Sequence, residues 1–207
     1  MKYDFTLCGR KEIKDFIEEY HYSKSINGVK SSYCFYIKLE DRIVGACLFG
    51  QMSTTSWKKF GEKEADVLEL RRLVTLDECK RNTESWFIAK CIKYLKKNTN
   101  VKVLVSYADP MHGHVGYVYQ ASNWNYLGET PKDKGYIDQE TGKVYHSRAL
   151  RTKYKGEYKP FVVKLRNKLD QGLLDTIILD GKHCYTFNLH TKNINHRKYP
   201  KLENNNP

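Results

Sequence analysis

The sequence predicts an α/β protein: a mixed β-sheet flanked by helices, with a basic C-terminal extension. Three observations lead there. Short β-branched and aromatic runs recur along the chain as candidate strands. Amphipathic stretches at helical spacing separate them. After an antiparallel-looking first half, the order becomes strand, helix, strand, helix, whose strands should lie parallel.

Tyr3, Phe5 and Leu7 alternate and predict a first strand. Ile13, Phe16, Ile17 and Tyr20 fall at helical spacing, so residues 10–20 form an amphipathic helix that stops near HYSKS, 21–25. Asn27-Gly28 is a turn. Tyr33 to Leu39 and Ile43 to Gly50 are strands joined at Glu40-Asp41-Arg42 as a hairpin. Residues 51–64 form a polar loop carrying an exposed Trp57. DVLELRRLVTL, 66–76, is a strand with Glu69 and Arg71 on one face, Leu70 and Arg72 on the other. Cap-type Asn82, Thr83 and Ser85 then open a helix over 84–97, with Phe87, Ile88, Cys91, Ile92 and Leu95 on one stripe. Val101, Val103, Leu104 and Val105 mark a buried strand over 101–108. A short helix near 114–121, a strand from Trp124 to Gly128, a polar hairpin around Asp138 to Gly142 and a strand from Val144 to Leu150 follow. Beyond 151 come a basic helix-like segment over 161–174, a strand around Cys184 to Leu189, and a frayed tail ending in ENNNP.

A chain of 207 residues is long enough for a proper core, and no apolar stretch approaches the roughly 20 residues of a membrane span. The N-terminus lacks a signal-peptide pattern, so the expectation is a soluble, cytoplasmic protein with no membrane partner. Cys8, Cys34, Cys47, Cys79, Cys91 and Cys184 show no CxxC pairing and read as reduced thiols. The net charge of +12 is uneven: residues 141–207 hold 14 Lys and Arg against 5 Asp and Glu. A basic surface rich in tyrosine, of which there are 16, suits nucleic acid; a merely solvated lysine-rich surface is the plainer alternative.

SYADPMHGHVGYVYQASNW, 106–124, follows the buried strand directly. Ligands gather beyond the carboxyl ends of strands in such sheets, which makes Ser106, Tyr107 and Asp109 site candidates. Asp109-Pro110 is equally readable as a turn in which Asp109 caps the next helix. Arg72, sharing a face with Leu70, must be paired with Glu69, Glu84 or Asp109, or face a ligand anion. His112 and His114, with His21 and Asp109, could bind a divalent metal.

Several stretches together resemble the phage Mom family of DNA-modification proteins, a GNAT-like branch: HYSKS (21–25), ELRRL (69–73), ESWF (84–87), SYAD (106–109), GHVGYVYQASNW.YLG (113–128) and HSRAL (146–150). The element order is likewise that of GNAT-type acyltransferases. The resemblance, over about 15–150, implies a GNAT-like catalytic domain in 1–150 and a basic extension in 151–207, packing on the core with a disordered tail from about 190. It implies replacement of a hydrogen on the exocyclic N6 amine of adenine by a carbamoylmethyl group, which shields phage DNA from host restriction. It further implies double-stranded DNA as partner, its target base flipped toward aromatic side chains such as Trp57, Tyr22 or Trp124. Alternatives are a GNAT N-acyltransferase for a small amine or protein, and a non-catalytic DNA-binding protein. The oligomeric state is open.

The resemblance assigns Asp109 to holding or deprotonating the amine, Arg72 to orienting a donor, Tyr119 to general-acid work, and His21 and Tyr22 to the acceptor site. Ser85, Arg81, Ser106, Tyr107 and Gln120 become donor contacts. Trp57, Lys58, Lys59, His146, Arg148, Lys182 and His183 become candidate DNA contacts. The Q/RxxGxG/A loop with which ordinary GNAT enzymes hold acyl-CoA pyrophosphate is absent: LDECKRNTES, 76–85, has no glycine. The donor is therefore unassigned, with acyl-CoA or an aminoacyl-type compound as candidates, and Lys80, Arg81 and the helix N-terminus left to hold an anion.

Overall fold

The computed structural model describes residues 2–26, 28–53 and 55–202. In chain order the elements are β1 (Asp4–Cys8), α1 (Arg10–Tyr20), β2 (Tyr33–Leu39), β3 (Arg42–Gly50), β4 (Val67–Thr75), α2 (Thr83–Asn98), β5 (Val103–Ala108), α3 (Tyr117–Ala121), β6 (Asn125–Glu129), β7 (Asp133–Asp138), β8 (Val144–His146), β9 (Lys153–Tyr154), β10 (Glu157–Tyr158), α4 (Pro160–Asp170), β11 (Leu174–Leu179) and β12 (His183–Asn188). The turn expected at Asn27-Gly28 begins on a residue outside those described.

One seven-stranded sheet runs β1-β2-β3-β4-β5-β12-β6. Its strands pair antiparallel except β4 with β5, which is the parallel pair the strand–helix–strand order predicts. The fold is thus a mixed, mostly antiparallel sheet with helices on both faces. α1 buries Ile13 and Ile17 against Ala46 and Leu48 on one face. α2 buries Phe87, Ile88, Cys91 and Leu95 against Phe35, Phe49, Leu70 and Leu104 on the other. Lys96 and Lys97 in the last turn of α2 complement its dipole. All six cysteines are free, with Cys34, Cys47, Cys91 and Cys184 buried. Among the described residues no helix is long and apolar enough to cross a membrane.

The C-terminal third departs from the sequence reading. β12 lies between β5 and β6, antiparallel to both, so β6 does not continue a parallel run and residue 150 is no boundary of the sheet. Residues 130–182 are an insert between β6 and β12. They contain the sheet β11-β7-β8, the hairpin β9-β10 and α4, around a small core of Tyr136, Leu150, Leu165 and Leu174. The strand expected over Val144 to Leu150 stops at His146 and becomes a 3-10 turn, Ser147–Leu150, and the helix expected to 174 ends at Asp170, freeing Leu174 to start β11. The segment after Leu189 is no loose tail as far as Leu202. The Asn193 carboxamide bonds Asn125 and both backbone groups of Asn188, Asn195 accepts from the Tyr126 amide, and the Tyr199 hydroxyl donates to the Trp124 carbonyl at 2.7 Å. Residues 203–207 lie outside the described residues.

β4 carries a bulge. Leu48 of β3 pairs with Arg72 while the adjacent Phe49 pairs with Leu70, so Arg71 is the extra residue. The bulge breaks the alternation. Leu70 stays on the α2 face, whereas Arg72 turns to the α1 face alongside Leu48. The expectation that Arg72 and Leu70 share a face fails for that reason. β4 and β5 pair only through Val67–Val103, Leu68–Leu104 and Glu69–Val105. Beyond that they part, leaving a slot between the two strands.

Candidate active site

The parting strands are held at the apex by Ser106, whose Oγ donates to the Leu70 carbonyl at 3.3 Å. On the α2 side α3 delivers Tyr119 to this point, its hydroxyl hydrogen-bonded with Ser106. Its ring packs on Trp124 and Tyr185 with centroids 5.3 and 5.2 Å away. Burial raises the phenol well above its usual pKa, so it carries its proton at neutral pH. Gly116, which precedes α3 with φ +84°, permits this placement: a Cβ there would sit 2.5 Å from the Tyr185 ring.

On the α1 side, the HYSKS stretch builds a hydrogen-bond chain. The one proton of the Ser23 hydroxyl can go to His21 Nδ1 at 2.9 Å or to the Ser25 carbonyl at 3.1 Å, and Arg72 Nε donates to that same carbonyl at 3.1 Å. The Ser23 amide can only donate, so Nδ1 accepts from it at 3.1 Å and Nε2 carries the ring proton. Burial, reinforced by Arg72, His114 and His112, lowers His21 to a pKa of about 4, so the ring is neutral at pH 7. Arg72 also donates to the Arg71 carbonyl at 2.7 Å. None of its three expected carboxylate partners takes it: Glu69 holds Arg71 at 2.6 Å, Asp109 holds Lys182 at 2.5 Å, and Glu84 bonds Thr75. Among the described residues Arg72 has no ion pair.

Tyr22 stands next to this chain, 46% exposed, its ring 4.2 Å from His21, 4.4 Å from His112 and 5.2 Å from His114. Its hydroxyl is raised in pKa by burial and the Asp109 charge, with Arg72 acting the other way. Asp109 is the cap that the turn reading expects, and it is also an ion-pair partner. Oδ1 caps the turn Pro110–His112 by accepting from the Met111 amide at 3.1 Å, and Oδ2 meets Lys182. Glu69 and Glu84, both raised by burial, flank the slot. A cleft of about 370 Å³ opens where α2 and α3 begin, walled by Asp77, Lys80, Thr83, Glu84, Ser85 and Tyr117.

His21, Tyr22, Arg72, Ser106, Asp109 and Tyr119 therefore come together, and Ser85 lines the adjoining cleft. Other assignments change. Tyr107 points to the opposite face from Ser106, in the cluster with Val105 and Cys184, its hydroxyl on the Cys184 thiol. Gln120 is used structurally: its amide nitrogen reaches Val115 O, Tyr185 Oη and Pro200 O. Arg81 is exposed beside the cleft. Trp124 is fully buried and Trp57 half-buried against Met52 and Val67, so neither is free to receive a base, and Lys58 lies over the Trp57 ring. Lys59 and Arg148 are exposed. His183 is buried against the Tyr126 hydroxyl at 3.0 Å, and the half-buried His146 is engaged by Asp133 and the Arg148 amide. Lys182, a candidate DNA contact, is exposed and is the partner of Asp109; that contact spans 73 residues of sequence and no local signal carries it. His112 and His114 stack about Tyr22, and among the described residues no three His, Cys, Asp or Glu side chains gather as metal ligands.

Residues 2–203 match the Mom protein family. The chain belongs to the Mom family. It is 29% identical over 138 residues to the methylcarbamoylase mom of Escherichia phage Mu, covering 64% of this chain and 55% of that protein, so it spans about half the length of this relative. Its fold is that of the GNAT acetyltransferases. The ribosomal-protein-S18-alanine N-acetyltransferase from Escherichia coli aligns with a TM-score of 0.52 at 8% identity, over 92% of this chain and 96% of that one. Arabidopsis thaliana NAA60 in complex with acetyl-CoA aligns with a TM-score of 0.52 at 7% identity, over 92% and 100%. In this Mom-family chain, the parted strands, the buried tyrosine and the unpaired arginine occupy one end of that GNAT sheet.

Proposed function

We propose that this Mom-family protein is a DNA-modifying transferase acting on the N6 amine of adenine, with a carbamoylmethyl-type product that protects phage DNA from restriction, and with duplex DNA as partner. The observation that carries the reading is the meeting of Arg72, Asp109, Tyr119, His21 and Tyr22 at the slot between β4 and β5. In this reading the adenine, flipped from the stack, lies against the exposed Tyr22 ring. Asp109 accepts a hydrogen bond from the amine and takes its proton as the new N–C bond forms. Arg72, lacking a carboxylate, holds the anionic part of the donor. Tyr119, kept protonated by burial, gives its proton to the leaving group as the donor's C–X bond breaks.

The cleft at the start of α2 and α3 is the space for the donor, an acyl-CoA or aminoacyl-type compound. Atom bookkeeping constrains it. Direct glycyl transfer gives N6–CO–CH2–NH2, an isomer of the carbamoylmethyl product N6–CH2–CO–NH2. The donor must therefore present a methylene carbon to the amine, or the first product must rearrange. Mass spectrometry of nucleosides from the DNA of expressing cells, with fragmentation to separate the isomers, is the test. A modified deoxyadenosine and resistance to restriction are expected; unaltered nucleosides at full expression of folded protein would refute the assignment.

A further inference from the structure

The insert of residues 130–182 leaves and rejoins the sheet beside the active site. His183 pairs with both Ala108 at the end of β5 and Glu129 at the end of β6. The neck is closed by the Thr130 amide on the Lys182 carbonyl and the Lys182 amide on Thr130 Oγ1, both at 2.9 Å. The Lys182 ammonium meets Asp109. Whatever the insert binds is presented next to Asp109.

Its charge is one-sided. Residues 147–168 hold eight Lys and Arg against Glu157 alone, seven of the protein's net +12. Lys168 is neutralised by Asp138 and Glu140. Arg148, Arg151, Lys153, Lys155, Lys159 and Lys164 form no ion pair among the described residues, so their charge is unspent. The positive face extends to the site: His146, depressed first by burial, is depressed further by Arg148, Lys182 and Arg151. At its outer end Tyr154, 60% exposed, carries Lys155 and Lys159 at 5.8 and 5.2 Å from its ring. The hairpin turns through Lys155 and Gly156, both left-handed, with φ +52° and +86°. Asn and Gly adopt that turn most easily, so a lysine at its first position keeps a cation at the tip against backbone preference.

We propose that this face of the insert, comprising Arg148, Arg151, Lys153, Tyr154, Lys155 and Lys159, is a docking surface for duplex DNA that grips phosphates flanking the base delivered to Asp109. The proposal rests on the reading of DNA as substrate. Unpaired cations, from those about Tyr154 at the hairpin to Arg148 and Arg151, which share the field of Lys182 at His146, complement the negative charge of a duplex backbone. The exposed tyrosine supplies an apolar plane for a sugar between phosphates.

Fluorescence anisotropy with a short labelled DNA duplex, titrated at several salt concentrations, tests it. The full chain is compared with Lys153→Ala/Lys155→Ala/Lys159→Ala, and with the glutamine triple, which keeps the side-chain stems should the alanines loosen the hairpin. Removing three phosphate contacts should make the slope of log K against log[salt] shallower by about 2.7 and weaken binding roughly tenfold or more at low salt. Lys11→Ala/Lys97→Ala, at the ends of α1 and α2 away from the site, should leave the slope unchanged. An unchanged slope and affinity in both folded triple variants overturns the proposal. So does a wild-type chain that binds no duplex, or that prefers single-stranded RNA. Nucleoside analysis separates the two readings. Duplex binding lost with the hairpin lysines while wild-type cells contain no modified adenine sinks the proposed activity and keeps the docking surface. Modification by wild type with unchanged slopes in the triples does the reverse.

Discussion

Arg72→Met separates a residue kept for chemistry from one kept for stability. Were Arg72 half of a buried ion pair, removing it would strand a carboxylate and cost about 3–5 kcal/mol. The structure removes that expectation, because Glu69 and Asp109 are already satisfied by Arg71 and Lys182. What the variant loses is two hydrogen bonds to carbonyls, at 3.1 and 2.7 Å, each worth about 1.5–3 kcal/mol for a charged donor. Against that stands the desolvation of a half-buried cation, which already lowers the Arg72 pKa and which methionine does not incur. The net is a loss of about 1–2 kcal/mol, or a fall in Tm of about 2–8 °C at about 2–4 °C per kcal/mol for a chain of this size.

Two further readouts follow from the same contacts. Arg72 is the second cause, after burial, of the low His21 pKa, so the variant's His21 should titrate above about 4 in an NMR pH series. Modified deoxyadenosine should disappear from expressing cells while the melt remains cooperative. DNA modified at the wild-type level would remove Arg72 from the mechanism. A loss beyond about 4 kcal/mol would place it among the ion-paired structural groups instead.

Tyr119→Phe removes one hydroxyl from a buried ring and should change stability by about 1 kcal/mol, while lowering the modification rate about 10²-fold or more in timed expression. His21 titrates near 4 when folded and near 6.5 when unfolded, so the unfolded chain binds the extra proton first and stability falls between those values as pH drops. The cost reaches about 2 kcal/mol at pH 5; Glu69 and Glu84, raised by burial, act with the opposite sign, so wild type and His21→Gln are compared by urea melts, and equal pH dependence would refute the assignment. Truncation after Leu189 removes the bonds of Asn193, Asn195, Tyr199 and Pro200 to β6, β12 and their neighbours, each about 1 kcal/mol, and should lower the urea midpoint markedly; an unchanged midpoint would mean those contacts are idle.

What the sequence made legible was local. The periodicity of Ile13, Ile17 and Tyr20, the stripe from Phe87 to Leu95 and the run Val101 to Val105 each gave an element in its place, because burial of one face is written in residue spacing. The bulge at Arg71 was not legible, since it inserts a residue without changing composition, and it reversed the face assigned to Arg72. The seat of β12 was not legible either: Cys184 to Asn188 reads as a strand, but nothing in it names β5 and β6 as neighbours. The motif HYSKS identified His21 and Tyr22, while the work of Ser23 and Ser25 in reaching Arg72 appears only in three dimensions.

The seat of β12 has a consequence for the site. A strand antiparallel to β5 begins where β5 ends, so the residue preceding His183 must stand beside Asp109. That residue is Lys182, and its ammonium fixes the carboxylate at the mouth of the slot. The same geometry forces the chain between β6 and β12 to leave and return at this end, which is where the basic insert stands. The C-terminal third therefore adjoins the candidate site by topology. Moving β12 to the sheet edge would separate Asp109 from its cation and the basic face from the base it is proposed to deliver.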